Sequence, residues 1–291
     1  WRVALVDERR MEAGRFAKPG PAKAYFAGPS DGIASVEGGG QASIVVPLAG
    51  VEPLTIYQVQ AAVSDPAGRT VTMARPMAGF VRVPKAKAAP KLDGALDEAD
   101  WKDCPVQMID SARQFYPVSA DAPKWKGPAD LSAKLRYLWD DKHLYIAAEV
   151  TDDAFSNPKE GAMIWAQDGL QFLVDPAREH AEKPGKYDLA AALSKTGPLA
   201  WCYLSADAGA PAGEAKDIVV AARRGSAGNV VYELAVPWSR VAPFRPAVGA
   251  NLGLALIVNE DDGPGRRSFI GWFGDVHAKQ VDIVGDLILA E

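Results

Sequence analysis

Cysteine and histidine are scarce in this chain of 291 residues, which has two cysteines and three histidines. Cys104 and Cys202 lie far apart, and two cysteines are too few for a disulfide framework or a cysteine-rich zinc site. We expect both to be free, buried thiols, because cysteine often behaves as a small hydrophobic residue. The sequence also has no apolar run near the roughly 20 residues that span a bilayer, and nothing that resembles a signal peptide. These absences argue against a disulfide-rich domain, a zinc domain and membrane insertion.

Basic residues are not in excess either. The net charge is −5, whereas binding to nucleic acid or to anionic lipid requires clustered lysine and arginine. Nucleic acid and membrane surfaces are therefore not expected partners. A chain of this length is about twice the size of a usual domain, which predicts two domains. Because it begins at Trp1 rather than at methionine, we expect a processed or excised segment of a longer protein.

Sequence signatures of catalysis are also missing. The histidines, His143, His180 and His277, form no His-Glu-x-x-His motif, and there is no Gly-x-Ser-x-Gly elbow or phosphate-binding glycine loop. A carboxylate pair for glycoside hydrolysis is defined by its separation in space, so the sequence leaves that alternative open. We predict that the chain is not an enzyme and that any catalysis belongs to other parts of a longer protein.

Alternating apolar and polar residues with turn residues between them predict an all-β chain. In the N-terminal part, residues 44–47, 54–63 and 71–83 are predicted strands, and Asp65-Pro66-Ala67-Gly68 is a predicted turn. Closely spaced short strands of this kind are typical of a small immunoglobulin-like β-sandwich.

A segment rich in proline, alanine and lysine follows these strands. Its composition predicts a semi-rigid linker at residues 84–90. The chain is therefore divided into an immunoglobulin-like domain at residues 1–83, the linker, and a larger domain at residues 91–291.

Longer and clearer strands occur beyond the linker. In residues 131–139, Leu131, Ala133, Leu135, Tyr137 and Trp139 share one face, and residues 144–150 return as the hairpin partner after a turn at residues 140–143. Further strands are predicted at residues 169–174, 187–193, 199–204, 218–222, 230–236, 252–258, 269–272 and 286–289. So many strands must close or stack to hide their edges, which predicts a larger antiparallel β-sandwich.

Several local patterns follow the linker in a defined order. They are KLDGALDEADW (91–101), LWDDKHLYI (138–146), WAQDGLQFLVD (165–175), YELAVPW (232–238), GANLG (249–253), VNEDD (258–262) and GDLIL (285–289). Together they resemble carbohydrate-binding module family 9 and its DOMON-like relatives over about two thirds of the chain. The resemblance implies a jelly-roll-like sandwich that recognises sugars without catalysis. The large aromatic residues of these patterns are expected in the core, namely Trp101, Trp139, Tyr145 and Trp238.

The resemblance also implies a binding site in which two tryptophans enclose a terminal sugar and charged side chains bind its hydroxyls. Trp165 matches the first tryptophan, but residues 276–280, where the second would lie, contain no aromatic residue. Gln171 replaces an expected carboxylate, and the expected arginine falls near Ala190.

One exposed indole can still stack on a pyranose, and Gln171 can donate and accept hydrogen bonds. The predicted sugar-binding residues are therefore Trp165, Gln171 and Trp272, with Trp201 or Tyr203 as alternatives for the second surface. The competing interpretation is that Trp165 only caps the sandwich.

Acidic pairs in loops suit calcium, which prefers oxygen ligands, although such pairs also form ordinary solvated turns. Asp152-Asp153 follows a strand, and similar pairs occur at Asp97-Glu98 and Asp261-Asp262, none with EF-hand spacing. The resemblance implies structural calcium as well. We predict Asp152 and Asp153 as its ligands.

The expected function is non-catalytic recognition of oligosaccharide or polysaccharide, within a larger extracellular or periplasmic carbohydrate-active protein and alongside its other domains. Two alternatives remain open. Some DOMON-like relatives hold haem for electron transfer, and Met163 with His277 or Lys279 offers suitable axial ligands. The second alternative is a purely structural or protein-interaction module.

Overall fold

A computed structural model describes residues 1–22, 25–52, 54–176, 186–225, 228–273, 276, 279 and 284–291. The chain forms two compact units. The first unit comprises Trp1–Met11 and Phe16–Gly79, and the second comprises Glu12–Arg15 and Phe80–Glu291. Within the described residues, no helix has the length and apolar character required to cross a membrane.

The first unit is built on short and medium antiparallel strands. They are β1 (Arg2–Glu12), β2 (Arg15–Phe16), β3 (Gly20–Pro21), β4 (Tyr25–Phe26), β5 (Leu48–Ala49), β6 (Thr55–Ser64) and β7 (Thr70–Met77). The main sheet has the order β2-β1-β6-β7 with β3 also paired to β1, and β4 pairs with β5. The strand predicted at residues 44–47 is not formed, and the nearest strand is β5. The immunoglobulin-like assignment of this unit stays a prediction.

The predicted turn between β6 and β7 is present and is stabilised by one side chain. The Asp65 carboxylate accepts hydrogen bonds from the backbone N–H groups of Ala67 and Arg69, each at 2.9 Å. Gly68 adopts a φ of +81°, a conformation that glycine adopts without steric cost. Aspartate and glycine in these positions therefore direct the chain back as a hairpin.

The division between the units falls between Gly79 and Phe80, a few residues before the predicted linker. A short strand, β8 (Phe80–Val83), pairs in parallel with the last strand of the chain, β21 (Gly285–Leu289). Beyond β8, the backbone N–H of Ala86 donates to the carbonyl of Trp139 at 2.8 Å. Residues 80–86, which the sequence analysis assigned to the first domain and the linker, thus belong to the second unit because of their backbone pairing.

In the part of the second unit that the structure describes, there are the remaining strands and three short helices. The strands between β8 and β21 are β9 (Gln107–Ile109), β10 (Phe115–Pro117), β11 (Leu131–Trp139), β12 (His143–Asp152), β13 (Gly169–Asp175), β14 (Tyr187–Ser194), β15 (Gly197–Leu204), β16 (Gly213–Glu214), β17 (Val219–Arg224), β18 (Val230–Pro237), β19 (Asn251–Glu260) and β20 (Ser268–Trp272). The helices are α1 (Ala99–Asp103) and two 3₁₀ helices, Gly161–Ala166 and Trp238–Val241. Every strand predicted beyond residue 130 is present within two residues of its predicted bounds.

Two sheets enclose the core of the second unit. The larger sheet has the order β10-β20-β19-β13-β14-β15-β16, and β21 joins it by pairing with both β19 and β8. The smaller sheet has the order β17-β18-β12-β11-β9. Tyr137 of the smaller sheet meets Trp272 of the larger one, with ring centroids 5.9 Å apart. The predicted antiparallel β-sandwich is confirmed.

Four large aromatic residues are buried in the core of the second unit, as expected. Trp101, Trp139, Tyr145 and Trp238 are all buried. The Trp101 indole N–H donates to Glu233 at 3.1 Å, and the same carboxylate accepts the backbone N–H of Gly94 at 2.7 Å. Burial raises the pKa of Glu233, and these hydrogen bonds oppose the rise. The prediction of free, buried thiols is confirmed, because Cys104 and Cys202 are both buried and neither forms a disulfide.

Candidate functional site

A groove of about 250 Å³ lies on the outer face of the larger sheet. Strand alternation creates this face. Leu170, Phe172 and Val174 of β13 point into the sandwich core, so the side chain of Gln171 points to the other side. Among the described residues, five side chains line the groove, namely Trp165, Gln171, Tyr203, Arg266 and Lys279.

Trp165 lies on the 3₁₀ helix Gly161–Ala166, just before β13. Its neighbours Ile164 and Ala166 are buried, whereas Trp165 is 37% exposed. The guanidinium carbon of Arg266 lies 4.9 Å from the centroid of the Trp165 ring. The indole is therefore oriented by a cation–π contact while part of it remains accessible to a ligand.

Gln171 forms the floor of the groove and is fixed by hydrogen bonding. Its Nε2 donates to Asp188 Oδ1 at 2.9 Å. The residue opposite it on β14 is Ala190, the position of the expected arginine, so no cation comes from that strand position. The structure thus brings two of the three predicted sugar-binding residues, Trp165 and Gln171, into one groove.

Tyr203 supplies the second aromatic surface. It comes from β15, which pairs with β14 through a register shift. Burial raises the pKa of the Tyr203 phenol. The other alternative from the sequence, Trp201, is half-buried against a small apolar cluster that includes Ile164 and Ala190.

Arg266 comes from the hairpin between β19 and β20 and was not predicted. Its Nη1 donates to Asn259 Oδ1 at 3.0 Å, and its Nε has no hydrogen-bond partner among the described residues. Burial lowers the pKa of Arg266, but an arginine that starts near 12.5 remains charged at neutral pH. The groove therefore contains a guanidinium with unused donor capacity.

Lys279 is the second cation of the groove. It contacts the carboxylate of Asp188, which is fully buried. Burial and the nearby Lys186 ammonium lower the pKa of Lys279 to about 8. Lys186 donates to the Lys279 carbonyl at 2.6 Å, so two ammonium groups lie at this end of the groove.

Neither Arg266 nor Lys279 carries a sequence motif that marks it as a site residue. The hairpin GPGRR at residues 263–267 shows only a glycine-rich turn with two basic residues. Its proximity to Trp165 depends on β19 lying beside β13, which is known only from the sheet order.

Trp272 does not line this groove, and its assignment to the sugar site is corrected. It is only 4% exposed, and it contacts Tyr137 and Phe273. Cross-strand pairing explains its position, because Phe172 faces Leu256 and Leu256 faces Trp272. Side chains in one such row share one face of the sheet, and Phe172 points into the core. Trp272 is therefore a core residue.

An acidic cluster forms a second candidate site at the end of β12. Carboxylate oxygens of Asp152, Asp153 and Asp262 lie within 4.8 Å of one another. Asp152 is buried, and the other two are exposed. Lys126 is the cation beside them, with its Nζ 3.2 Å from Asp130 and 3.8 Å from Asp153.

Burial and repulsion between carboxylates raise the pKa values of several acidic groups in and beside this cluster. Burial, with the charges of Asp262 and Asp153, raises the pKa of Asp152 to about 6. Burial raises the pKa of Asp168 to about 9, with Asp152 as the next cause. The pKa of Glu260 is raised to about 7, mainly by burial and then by Asp262. A divalent cation would relieve this repulsion.

These residues fit calcium by their chemistry. Calcium takes carboxylate oxygens in flexible arrangements, and the cluster offers three carboxylates from two chain segments. The predicted pair Asp152 and Asp153 is joined there by Asp262, one member of the Asp261-Asp262 pair. Asp97-Glu98 lies elsewhere, directly before α1, where Glu98 accepts the backbone N–H of Lys91 at 3.1 Å.

The residues named for the haem alternative are not assembled by the described part of the structure. Met163 is 49% exposed, Lys279 contacts Asp188, and His277 and His180 lie outside the described residues. The family and the solved structures that the chain resembles do not support haem binding either.

A two-sheet β-sandwich with an aromatic and polar groove on one outer face is the architecture of a ligand-recognition module. The family model described as "Carbohydrate family 9 binding domain-like" matches residues 92–290. The chain therefore belongs to this family. The predicted fold and the predicted class, a non-catalytic carbohydrate-recognition module, are confirmed.

Curated relatives are xylan-degrading enzymes by name. The chain is 28% identical to endo-1,4-beta-xylanase A of Thermotoga neapolitana over 142 residues, which cover 48% of this chain and 12% of that protein. It is 27% identical to endo-1,4-beta-xylanase C of Paenibacillus barcinonensis over 187 residues, which cover 64% and 15%. The chain thus spans less than a sixth of the length of these relatives.

Solved structures show the same fold. A carbohydrate-binding module family 9 from Caldicellulosiruptor kristjanssonii in complex with cellotriose matches with a TM-score of 0.53 and 18% identity, over 72% of this chain and 93% of that one. The same module in complex with glucose also gives a TM-score of 0.53 and 18% identity, over 72% and 95%.

Proposed function

We propose that the second unit binds the end of an oligosaccharide in the groove formed by Trp165, Gln171, Tyr203, Arg266 and Lys279. The observation that carries this proposal is the partly exposed indole of Trp165 above a polar floor. The apolar C–H face of a pyranose stacks on an indole, and hydroxyl groups require donors and acceptors beside it. Gln171, Tyr203 and Arg266 supply both kinds of group.

The chemistry of the relatives supports a plant-type polysaccharide as the ligand. The similar solved structures hold cellotriose and glucose, and the curated relatives are named as xylanases. We infer that the ligand is a glucan or xylan oligosaccharide. One aromatic stack and a few hydrogen bonds, opposed by the cost of immobilising the ligand, correspond to dissociation constants of about micromolar to millimolar.

Calcium is the second part of the proposal. Asp152, Asp153 and Asp262 would hold the ion, because their oxygens converge and their mutual repulsion is unrelieved by Lys126 alone. The ion would join the end of β12 to the β19–β20 hairpin that also carries Arg266. Its role is structural, since binding to the native state alone stabilises that state.

The setting of the module is also proposed. Because the chain corresponds to a small part of much longer xylanases, we infer that it belongs to a larger extracellular or periplasmic protein whose catalytic domain lies elsewhere. Weak binding is sufficient there, because a tethered module raises the local concentration of its partner.

Calorimetric titration with cellotriose tests the proposed sugar site. Trp165→Ala should abolish measurable binding and leave the melting temperature within a few degrees, because a partly exposed side chain supports little of the core. Met163→Ala is a matched control, since Met163 is exposed on the same 3₁₀ helix and does not line the groove. Unchanged cellotriose affinity in Trp165→Ala would overturn the proposed site.

A further inference from the structure

The charge of the groove differs from that of the rest of the protein. The chain has a net charge of −5, yet the groove has two cationic side chains on its lining and a third, Lys186, beside them. Among the described residues of the groove, Asp188 is the carboxylate that faces these cations. An excess of positive charge on one site of an acidic protein points to an anionic ligand.

The carboxylate of Asp188 already contacts two neighbouring side chains of the groove. It accepts a hydrogen bond from Gln171 Nε2 and contacts the Lys279 ammonium, and its side chain has no exposed surface. Its charge is therefore neutralised within the groove and cannot serve Arg266 as well. Among the described residues of the groove, the remaining charge that a ligand meets is positive.

Arg266 is the group left without a counter-ion. Within the described part of the chain it forms no ion pair, and its hydrogen bond goes to the neutral amide of Asn259. Three other arginines of the second unit each lie against a carboxylate, in the pairs Arg136–Glu149, Arg240–Asp217 and Arg267–Asp121. An unpaired, partly buried guanidinium costs free energy that an anionic partner would recover.

We propose that the groove selects sugars that carry a carboxylate, namely uronic acid residues, over neutral sugars. This inference rests on the proposed sugar site. The planar guanidinium of Arg266 matches the geometry of a carboxylate, and such charge-assisted hydrogen bonds are stronger than those to a hydroxyl. The guanidinium carbon of Arg266 lies 4.9 Å from the centroid of the Trp165 ring. One uronate residue in the groove can therefore contact both the indole and the guanidinium.

A neutral sugar lacks this advantage. It covers the guanidinium and removes water from it, but its hydroxyls return only neutral hydrogen bonds. We expect neutral sugars to bind more weakly rather than not at all, because the stacking surface and Gln171 serve both ligands.

Calorimetric titration of the whole chain with D-glucuronate and with D-glucose, at equal and low ionic strength, tests the inference. We expect glucuronate to bind about tenfold more tightly, or better, and the preference to shrink as salt is added. Acetate at the same ionic strength is the third titrant. It should compete poorly, because it offers a carboxylate without a ring to stack on Trp165.

Arg266→Gln should remove most of the preference, weakening glucuronate binding by a larger factor than glucose binding, because glutamine offers only neutral hydrogen bonds. Arg267→Gln is the matched control, since the neighbouring guanidinium already pairs with Asp121 at 2.8 Å and does not line the groove. It should keep the preference.

Equal affinity for glucose and glucuronate in the wild-type chain would overturn the carboxylate preference and leave the sugar site standing. Acetate competing as well as glucuronate would also overturn it, because the groove would then be a simple anion site. Binding of neither sugar nor of cellotriose would overturn the sugar site itself. The wild-type comparison decides the question even if Arg266→Gln fails to fold.

Discussion

Tyr137 and Trp272 meet across the two sheets of the second unit, with ring centroids 5.9 Å apart and planes inclined at 42°. Gly285 completes the contact, because a Cβ atom there would lie 2.6 Å from the Trp272 ring. The lack of a side chain at Gly285 therefore lets the last strand lie against the indole.

This contact predicts that substitutions of two tryptophans lower the free energy of unfolding by very different amounts. Trp272→Ala should lower the free energy of unfolding by about 3–5 kcal/mol, because it leaves a large cavity between the sheets. Trp165→Ala should lower it by less than about 1 kcal/mol, because that side chain is partly exposed. Urea unfolding followed by circular dichroism measures both. Similar losses for the two variants would contradict the separation of core and groove.

Calcium should raise the stability of the module. With excess calcium the melting temperature should exceed that in chelator by several degrees, because the ion binds only the native cluster. Asp262→Asn should remove most of this difference, whereas Asp121→Asn, which changes an exposed aspartate outside the cluster, should retain it. Identical melting curves with calcium and with chelator would rule out a stabilising site.

Acidic groups in and beside the same cluster predict how stability depends on pH when a chelator removes calcium. The folded-state pKa of Asp152 is about 6, and that of Glu260 about 7, both above the usual values for exposed carboxyls. Such groups favour folding while they are protonated, and this contribution is lost as the pH rises through the folded-state pKa values.

Stability in chelator should therefore fall by about 1–3 kcal/mol between about pH 5 and about pH 8. Saturating calcium should reduce the fall, since the ion stabilises the ionised carboxylates. Urea unfolding at the two pH values measures the effect. A rise in stability over this range in chelator would contradict the assigned pKa shifts.

The position of β8 predicts the smallest stable fragment. A fragment of residues 80–291 should melt cooperatively, because it keeps β8 on β21. A fragment that starts at Lys91 exposes the edge of β21 and should melt at least several degrees lower. Calorimetry of the two purified fragments measures the difference. Equal melting temperatures would mean that residues 80–90 add nothing to the second unit.

Sequence periodicity was sufficient to predict the sandwich but not all of its pairing. In β11, for example, Leu131, Ala133, Leu135, Tyr137 and Trp139 share one buried face, so the correct register buries this whole apolar row. The strand at Phe80–Val83 falls within the predicted residues 71–83, but its parallel pairing with β21 was not predicted, because β21 lies about two hundred residues away. No local pattern can reveal a parallel pairing of that kind.

Local sequence patterns were sufficient to predict only part of the site, because the rest depends on pairing between distant strands. Trp165 was identified by the family resemblance, and the alternation of β13 was enough to place Gln171 on the face opposite Leu170 and Phe172. Trp272 was assigned wrongly because its face is set by a row that passes through Phe172 and Leu256 on separate strands. Arg266 was missed because a hairpin's direction depends on the sheet beneath it.

The pairing of β8 with β21 also bears on how the second unit carries tension. The two strands are parallel, with Phe80 beside Asp286 and Val83 beside Leu289. A force that enters at Phe80 and leaves beyond Leu289 would pull them in opposite senses along their length. All the hydrogen bonds between them would then be loaded together in shear rather than broken one after another. These hydrogen bonds would thus resist extension of the second unit between Phe80 and Leu289.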